Sequence, residues 1–167
     1  MAKFNHLGEA QSIRGLAQYT EEIRERFVNL AISYNINIIT GSMPLLKEDG
    51  ALYNVGYLIR RDGSYEMYEK VHVTPDEQKS WGLSGGKMVK TFDTDCARIG
   101  VLICYDVEFP ELARIMADQG MQILFVPFLT DTQNGYSRVR VCAQARAIEN
   151  ECFVVIAGSV GNLPRVH

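Results

Sequence analysis

Three side chains carry the chemical interest of this 167-residue chain: the thiol of Cys104, the ammonium of Lys70 and the carboxylate of Glu77. Cys104 closes the apolar run Ile99-Gly100-Val101-Leu102-Ile103 and is followed by Tyr105-Asp106-Val107-Glu108-Phe109-Pro110-Glu111. That pattern predicts a buried strand turning into a helix, and a side chain on such a turn is lifted to the sheet edge where α/β folds bind ligands. Backbone N–H groups at the same place can hold an oxyanion. The alternative is a buried structural thiol, because unpaired cysteines are among the most buried residue types. Position alone does not choose between them, and a nucleophilic role further requires a base or a stabilised thiolate.

Lys70 lies in Tyr68-Glu69-Lys70-Val71-His72, at the end of a predicted strand. A fixed cation favours a thiolate and stabilises a tetrahedral oxyanion, whereas a strand-end lysine can also be a plain solvated charge. Glu77, in Thr74-Pro75-Asp76-Glu77, is placed either to orient Lys70 or to stand as an exposed loop acid. His72 opens a second arrangement, a Cys104–His72 pair of the cysteine-protease kind, beside local packing. Arg146 and Glu149 are spaced to pair on one helix face, which reads as an ion pair fixing that helix against a sheet. Tyr105, next to the thiol, and Asp131, Thr132 and Tyr136, in the loop before that helix, are candidate substrate contacts.

These residues need elements to position them. Apolar residues at Leu16, Ile23, Phe27, Leu30, Ala31 and Tyr34 predict one amphipathic helix over Leu16–Tyr34. Strands follow at Ile36–Ser42 and Leu52–Ile59, separated by the turn Lys47-Glu48-Asp49-Gly50, and Arg61-Asp62-Gly63 folds Ser64–Lys70 back as a hairpin. Residues 71–87 carry Pro75, Gly82, Gly85 and Gly86 without periodicity, a long connection of the kind that is often functional. A strand at Met88–Phe92 precedes a buried-strand and helix alternation: Ile99–Cys104, Pro110–Gln119, Gln122–Pro127, Ser137–Asn150 and Cys152–Gly158. Such an order predicts an α/β layered fold with a mixed sheet in one domain over residues 1–167.

Composition narrows the function. With 47% hydrophobic and 22% charged residues the chain can build a core, and a net charge of −3 argues against nucleic acid or an anionic membrane as partner. No apolar stretch is long enough to span a bilayer and the N-terminus lacks a signal pattern, so a cytoplasmic protein is expected. The cysteines Cys96, Cys104, Cys142 and Cys152 form no C-x-x-C pair and have no partnering histidine run, so no zinc site or redox dithiol is expected.

Taken together, Tyr68-Glu69-Lys70-Val71-His72, Gly100 to Asp106 with Phe109-Pro110-Glu111, and Arg146-Ala147-Ile148-Glu149-Asn150 resemble the nitrilase superfamily of carbon-nitrogen hydrolases. Leu52-Tyr53-Asn54 and Gly63 extend the likeness over almost the whole chain. The resemblance implies an α-β-β-α sandwich and a Glu-Lys-Cys site without metal or organic cofactor. In it Cys104 attacks, Lys70 stabilises the oxyanion, Glu77 matches a second glutamate of many members, and a further glutamate acts as general base. It also implies a small amide or nitrile substrate, with an amidase preferred, and a homo-oligomer. The family's base glutamate lies upstream of the helix at Leu16–Tyr34, and Glu9, in Leu7-Gly8-Glu9-Ala10, lacks the preceding apolar strand and Pro-Glu pair. The relatives continue beyond Gly161-Asn162-Leu163-Pro164, so the chain is expected to be incomplete at both ends, with a style closest to the acetyltransferase-associated branch.

Overall fold

The structure, a computed structural model, describes residues 7–160, so Gly161 to Pro164 and the terminal Arg165-Val166-His167 lie outside the described residues. The chain divides into two compact units, residues 1–88 and 89–167.

In the first unit the expected single helix is two: α1 (Glu9–Ala17) and α2 (Thr20–Tyr34). The break falls where the Tyr19 N–H bonds the carbonyl of Leu16 and Thr20 is fully buried, its hydroxyl donating to the Pro44 carbonyl at 2.5 Å. A side-chain hydroxyl tied to a distant segment fixes the chain at that point, and this tertiary bond overrides a run of good helix formers. The buried stripe of α2 is also rotated from the expected one. Ala31 is fully buried with Phe27 and Val28 beside it, while Leu30 and Tyr34 are exposed.

The sheet of this unit is organised by β3 (Leu52–Ile59). Along one edge run β1 (Ile38–Ile39), opposite Leu58 and Ile59, and β2 (Met43–Leu46), opposite Leu52 to Val55, both antiparallel. Along the other run β4 (Tyr65–Glu69), antiparallel, and β5 (Leu83–Ser84), parallel. The hairpin expected around Arg61-Asp62-Gly63 is therefore present, and it puts Lys70 at the end of β4. The strand expected over Ile36–Ser42 is instead interrupted, because Thr40 and Gly41 bulge out between β1 and β2. Gly41 adopts a φ of 76° and its carbonyl accepts from the Tyr68 hydroxyl at 2.7 Å. Opposite this bulge sits Gly56, where a Cβ would collide with the Gly41 carbonyl and the Tyr68 ring. Strand, bulge and ring thus fit only around a hydrogen atom.

The second unit holds a mixed four-stranded sheet in the order β6 (Thr91–Asp93), β7 (Arg98–Val101), β8 (Ile123–Phe128), β9 (Phe153–Gly158). β6 is antiparallel to β7, and the other pairs are parallel. Parallel neighbours need crossovers, which are supplied by α3 (Pro110–Asp118) and α4 (Gln133–Asn150). As expected, β7 is buried on both faces, through Ile99, Gly100 and Val101. The other two strands are not: β8 alternates, burying Leu124, Val126 and Phe128, and β9 leaves Phe153 76% exposed and Val155 44%. Parallel order fixes one more feature. The carboxyl ends of β7 and β8 share a sheet edge, so the segments after Val101 and after Phe128 emerge side by side.

The lack of space at Gly56 makes a direct test. Gly56→Ala is expected to destabilise the protein by about 1–3 kcal/mol, the usual range for overpacking a core. Urea denaturation should show this as a lowered midpoint with an unchanged slope.

Candidate active site

In the first unit the structure brings Lys70 and Glu77 together. The Lys70 Nζ donates to Glu77 Oε1 at 2.7 Å and Oε2 at 2.6 Å, with the lysine side chain 2% exposed and that of the glutamate 11%. Neither is the solvated charge that a strand-end lysine or a loop acid would be by default. Each has a local reason to be where it is. The Lys70 N–H bonds the Asn54 carbonyl of β3, and the Lys70 carbonyl accepts from Gly86 at 2.7 Å. Gly86 can approach so closely because a Cβ there would meet the Glu69 side chain and this same carbonyl. The loop expected to be irregular contains a turn in which Glu77–Trp81 is π-helical.

Thr74 opens that turn. Its Oγ1 accepts from the Glu77 N–H at 3.2 Å while Glu77 Oε2 accepts from the Thr74 N–H at 2.7 Å, a reciprocal capping box with Pro75 at the first helical position. The Glu77 carboxylate therefore serves two partners, the cap and the ammonium. Removing either member of such a buried pair leaves an uncompensated charge, at about 3–5 kcal/mol. His72 is half-buried in the same loop. Glu9 is an exposed residue in the first turn of α1 and accepts from the Trp81 Nε1 at 3.2 Å.

In the second unit Cys104 begins a 3-10 turn, Cys104–Glu108, separated from the carboxyl end of β7 by Leu102 and Ile103. Its φ is 50°, in the left-handed region that a residue with a Cβ rarely adopts. Among the described residues two other non-glycine residues share this sign, Asn35 and Glu151, and both are ordinary helix C-caps. Cys104 is not a C-cap. It sits at the head of a turn, with its Sγ–H 3.6 Å from the Leu129 carbonyl, in the segment leaving β8. The turn is closed by Asp106, only 1% exposed, whose N–H bonds the Ile103 carbonyl and whose Oδ2 accepts from the Ile103 N–H at 3.3 Å.

The other candidates are placed less suggestively. The Tyr105 ring is half-buried and stacks edge-on against Phe109 at 5.1 Å. Asp131 is exposed in the loop that begins at Leu129. Thr132 is the N-cap of α4, its Oγ1 accepting from the Gly135 N–H at 3.1 Å, so the helix starts four residues before the expected Ser137. Arg146 and Glu149 do form the expected ion pair, at 2.6 Å. The guanidinium does not brace the helix against the sheet, however, because its Nε and Nη2 donate to the carbonyls of Val107 and Glu108 in the Cys104 turn. Asp106 and these carbonyl contacts were not read from the sequence. The Thr74-x-x-Glu77 capping box was legible there as a motif; no comparable signal marks Asp106.

Among the described residues no group of three or more His, Cys, Asp and Glu side chains could hold a metal ion. No disulfide forms among the four cysteines. Burial pushes the thiols of Cys142 and Cys152 up, Cys142 with a further contribution from the Glu108 charge. No helix among the described residues is long and apolar enough to cross a membrane.

Comparison with known proteins gives the family. The carbon-nitrogen hydrolase profile matches residues 3–167, and the chain belongs to that family. It is 53% identical over 154 residues to the probable hydrolase YhcX of Bacillus subtilis, an alignment covering 92% of this chain and 30% of that protein. Among solved structures it resembles Saccharomyces cerevisiae Nit3, a member of branch 10 of the nitrilase superfamily, with a TM-score of 0.80 and 30% identity over 87% of this chain and 54% of that one. It also resembles a mutant amidase from Nesterenkonia sp. AN1 showing the result of Michael addition of acrylamide at the active site cysteine. There the TM-score is 0.78 and the identity 25%, over 90% of this chain and 60% of that one. The nitrilase-type α/β fold with mixed sheets expected from the sequence is borne out. In each comparison the chain spans less than two thirds of its relative's length.

The raised thiols give a pH dependence. A thiol whose folded-state pKa is raised holds its proton more tightly folded than unfolded, so its stabilising contribution is complete below the ordinary thiol pKa of about 8.5 and is lost as pH rises beyond it. Iodoacetamide at pH 7 should label the exposed Cys96 well before Cys142 and Cys152. Peptide mass mapping should show that gap narrowing as pH is raised above about 9.

Proposed function

We propose that the full-length protein hydrolyses the carbon-nitrogen bond of a small amide through a thioester on Cys104. The observation that carries this reading is the left-handed backbone of Cys104 at the carboxyl end of β7. Strain at a sparsely populated φ is retained where the surrounding structure imposes it, and such residues cluster at active sites. The same strand-to-helix geometry presents nucleophiles in other hydrolases.

In this mechanism the Cys104 sulfur attacks the carbonyl carbon and its proton passes to a general base. The carbon–nitrogen bond then breaks as that proton is delivered to the departing nitrogen, leaving a thioester. Water, deprotonated by the same base, attacks the thioester and releases the acid with the thiol restored. Lys70 is assigned to the developing oxyanion, for which a dry, fixed ammonium is well suited, and Glu77 to holding that ammonium in place. None of residues 7–160 is assigned as the base, and the family resemblance gives that role to a glutamate upstream of Leu16. Tyr105, Asp131 and Thr132 remain assigned to substrate contact, with Thr132 also capping α4.

An amide is preferred to a nitrile because the Nesterenkonia relative is an amidase. The reading extends to a cytoplasmic homo-oligomer, supported by the acidic composition and by the exposed Val141 and Ile148 on α4.

Steady-state hydrolysis of a panel of short aliphatic amides by the full-length protein decides the matter. Cys104→Ala should lower kcat/KM by at least about 10³-fold, the scale seen when a covalent nucleophile is removed. Lys70→Met should cost about 10²- to 10³-fold, as for an oxyanion donor. His72→Ala should leave most activity intact. Amide hydrolysis that survives Cys104→Ala sinks the assignment, and loss with His72→Ala but not Lys70→Met moves it to a Cys–His pair.

A further inference from the structure

The φ of 50° at Cys104 is disfavoured for a residue with a Cβ, so something must hold the turn that carries it. At its head the turn is closed by Asp106, through the two bonds to Ile103. At its far end, the carbonyls of Val107 and Glu108 leave the last helical residues with no donor of the turn's own, as at any short helix terminus. Arg146 supplies the donors. Its Nε lies 3.0 Å from the Val107 carbonyl and its Nη2 3.4 Å from that of Glu108, with the residue 5% exposed. A cation at the carboxyl end of a helical turn also meets the negative pole of its dipole.

The guanidinium is itself held. Nη1 donates to Glu149 Oε2 at 2.6 Å, and the Glu149 carbonyl accepts from the Arg114 Nη2 of α3 at 2.7 Å. The buried Arg146 fork therefore joins α4 to the cysteine turn, and a separate, exposed bond from Arg114 ties α3 to the same end of α4. A fork of fixed geometry can reach two carbonyls and a carboxylate at once, which an ammonium cannot.

We propose that Arg146, locked by Glu149, is a positioning residue: it sets the attack direction of the Cys104 sulfur by gripping the exit of the Cys104–Glu108 turn. The inference rests on Cys104 being the nucleophile, and its test separates the two ideas. Arg146→Met, Arg146→Lys and Glu149→Gln are made in the full-length protein. Three quantities are read for each: single-turnover acylation of Cys104 by a short amide, followed as a mass increase; the ratio of iodoacetamide labelling at Cys104 to that at Cys96; and the melting temperature. Cys96 lies on the β6–β7 turn and serves as an internal control for reagent and folding.

A reacting atom misplaced by about 1 Å costs on the order of 10²-fold. Arg146→Met should therefore acylate roughly 10- to 100-fold more slowly at saturating amide with little change in the half-saturating concentration, Arg146→Lys should recover part of the rate, and Glu149→Gln should fall between. The Cys104 to Cys96 labelling ratio should drop in the same order. A folded Arg146→Met protein that melts lower but keeps the wild-type acylation rate and labelling ratio overturns the proposal, leaving Arg146 a structural clamp. If the wild type itself is not acylated, the hydrolase reading fails, while the labelling ratio still decides the positioning role. Should Arg146→Met not fold, Glu149→Gln, which keeps the guanidinium but loosens its anchor, gives the deciding comparison.

Discussion

A charge taken out of water must find its counter-groups inside the protein, and this constraint shapes both units. The described residues bury four side chains of the Asp, Glu, Lys and Arg kinds, Lys70, Glu77, Asp106 and Arg146. Leaving any of them unpaired would cost several kcal/mol, a large share of a domain's net stability. Lys70, Glu77 and Arg146 each meet an opposite charge, and Glu77, Asp106 and Arg146 also bond the backbone. Lys70 and Glu77 meet each other and the cap at Thr74. Asp106 takes the N–H of Ile103, while Arg146 takes two turn carbonyls and Glu149. Because backbone is among the partners, these charges do not merely sit in the fold; they dictate the path of the two segments that carry Lys70 and Cys104.

Packing then explains why those segments sit where they do. In the first unit β3 is paired along both edges, so the end of β4 is fixed from two sides and Lys70 inherits that rigidity. In the second, three parallel strands in register bring the β7 and β8 exits together, which is why the Cys104 thiol reaches the Leu129 carbonyl. Functional side chains on rigid element ends keep their geometry better than side chains on free loops.

Much of this was legible in the residues. Alternating strands and helices from Ile99 onward, the hairpin at Arg61-Asp62-Gly63 and the Pro110 helix start all follow from periodicity and turn chemistry, and they appear in the structure within a few residues. Where reading failed, a tertiary contact had outvoted a local preference. The helix expected from Leu16 breaks because of the distant carbonyl that Thr20 reaches, and the strand expected over Ile36–Ser42 is divided by a bulge fitted around the Tyr68 hydroxyl. Leu30 and Tyr34 look like core residues by spacing, yet the helix presents Phe27, Val28 and Ala31 to the sheet. At the candidate site, residue types and order singled out Cys104, Lys70 and Glu77 as candidates. A positive φ and the destination of the Arg146 fork belong to three-dimensional geometry and leave no trace in spacing.

The contrast between the two sheets also implies an order of assembly. The sheet around β3 is made largely of neighbours in sequence, and Lys70 and Glu77 are only seven residues apart. Its contacts close short loops at small entropic cost. The Cys104 turn depends on β8, reached across one crossover, and on Arg146, 38 to 39 residues from the carbonyls it grips. Such long-range contacts form late. On loop-closure grounds the seven-residue lysine–carboxylate pair is expected to form ahead of the Arg146 contacts to the cysteine turn. The left-handed backbone of Cys104 is thus expected to depend on the docking of β8 and α4 against the turn.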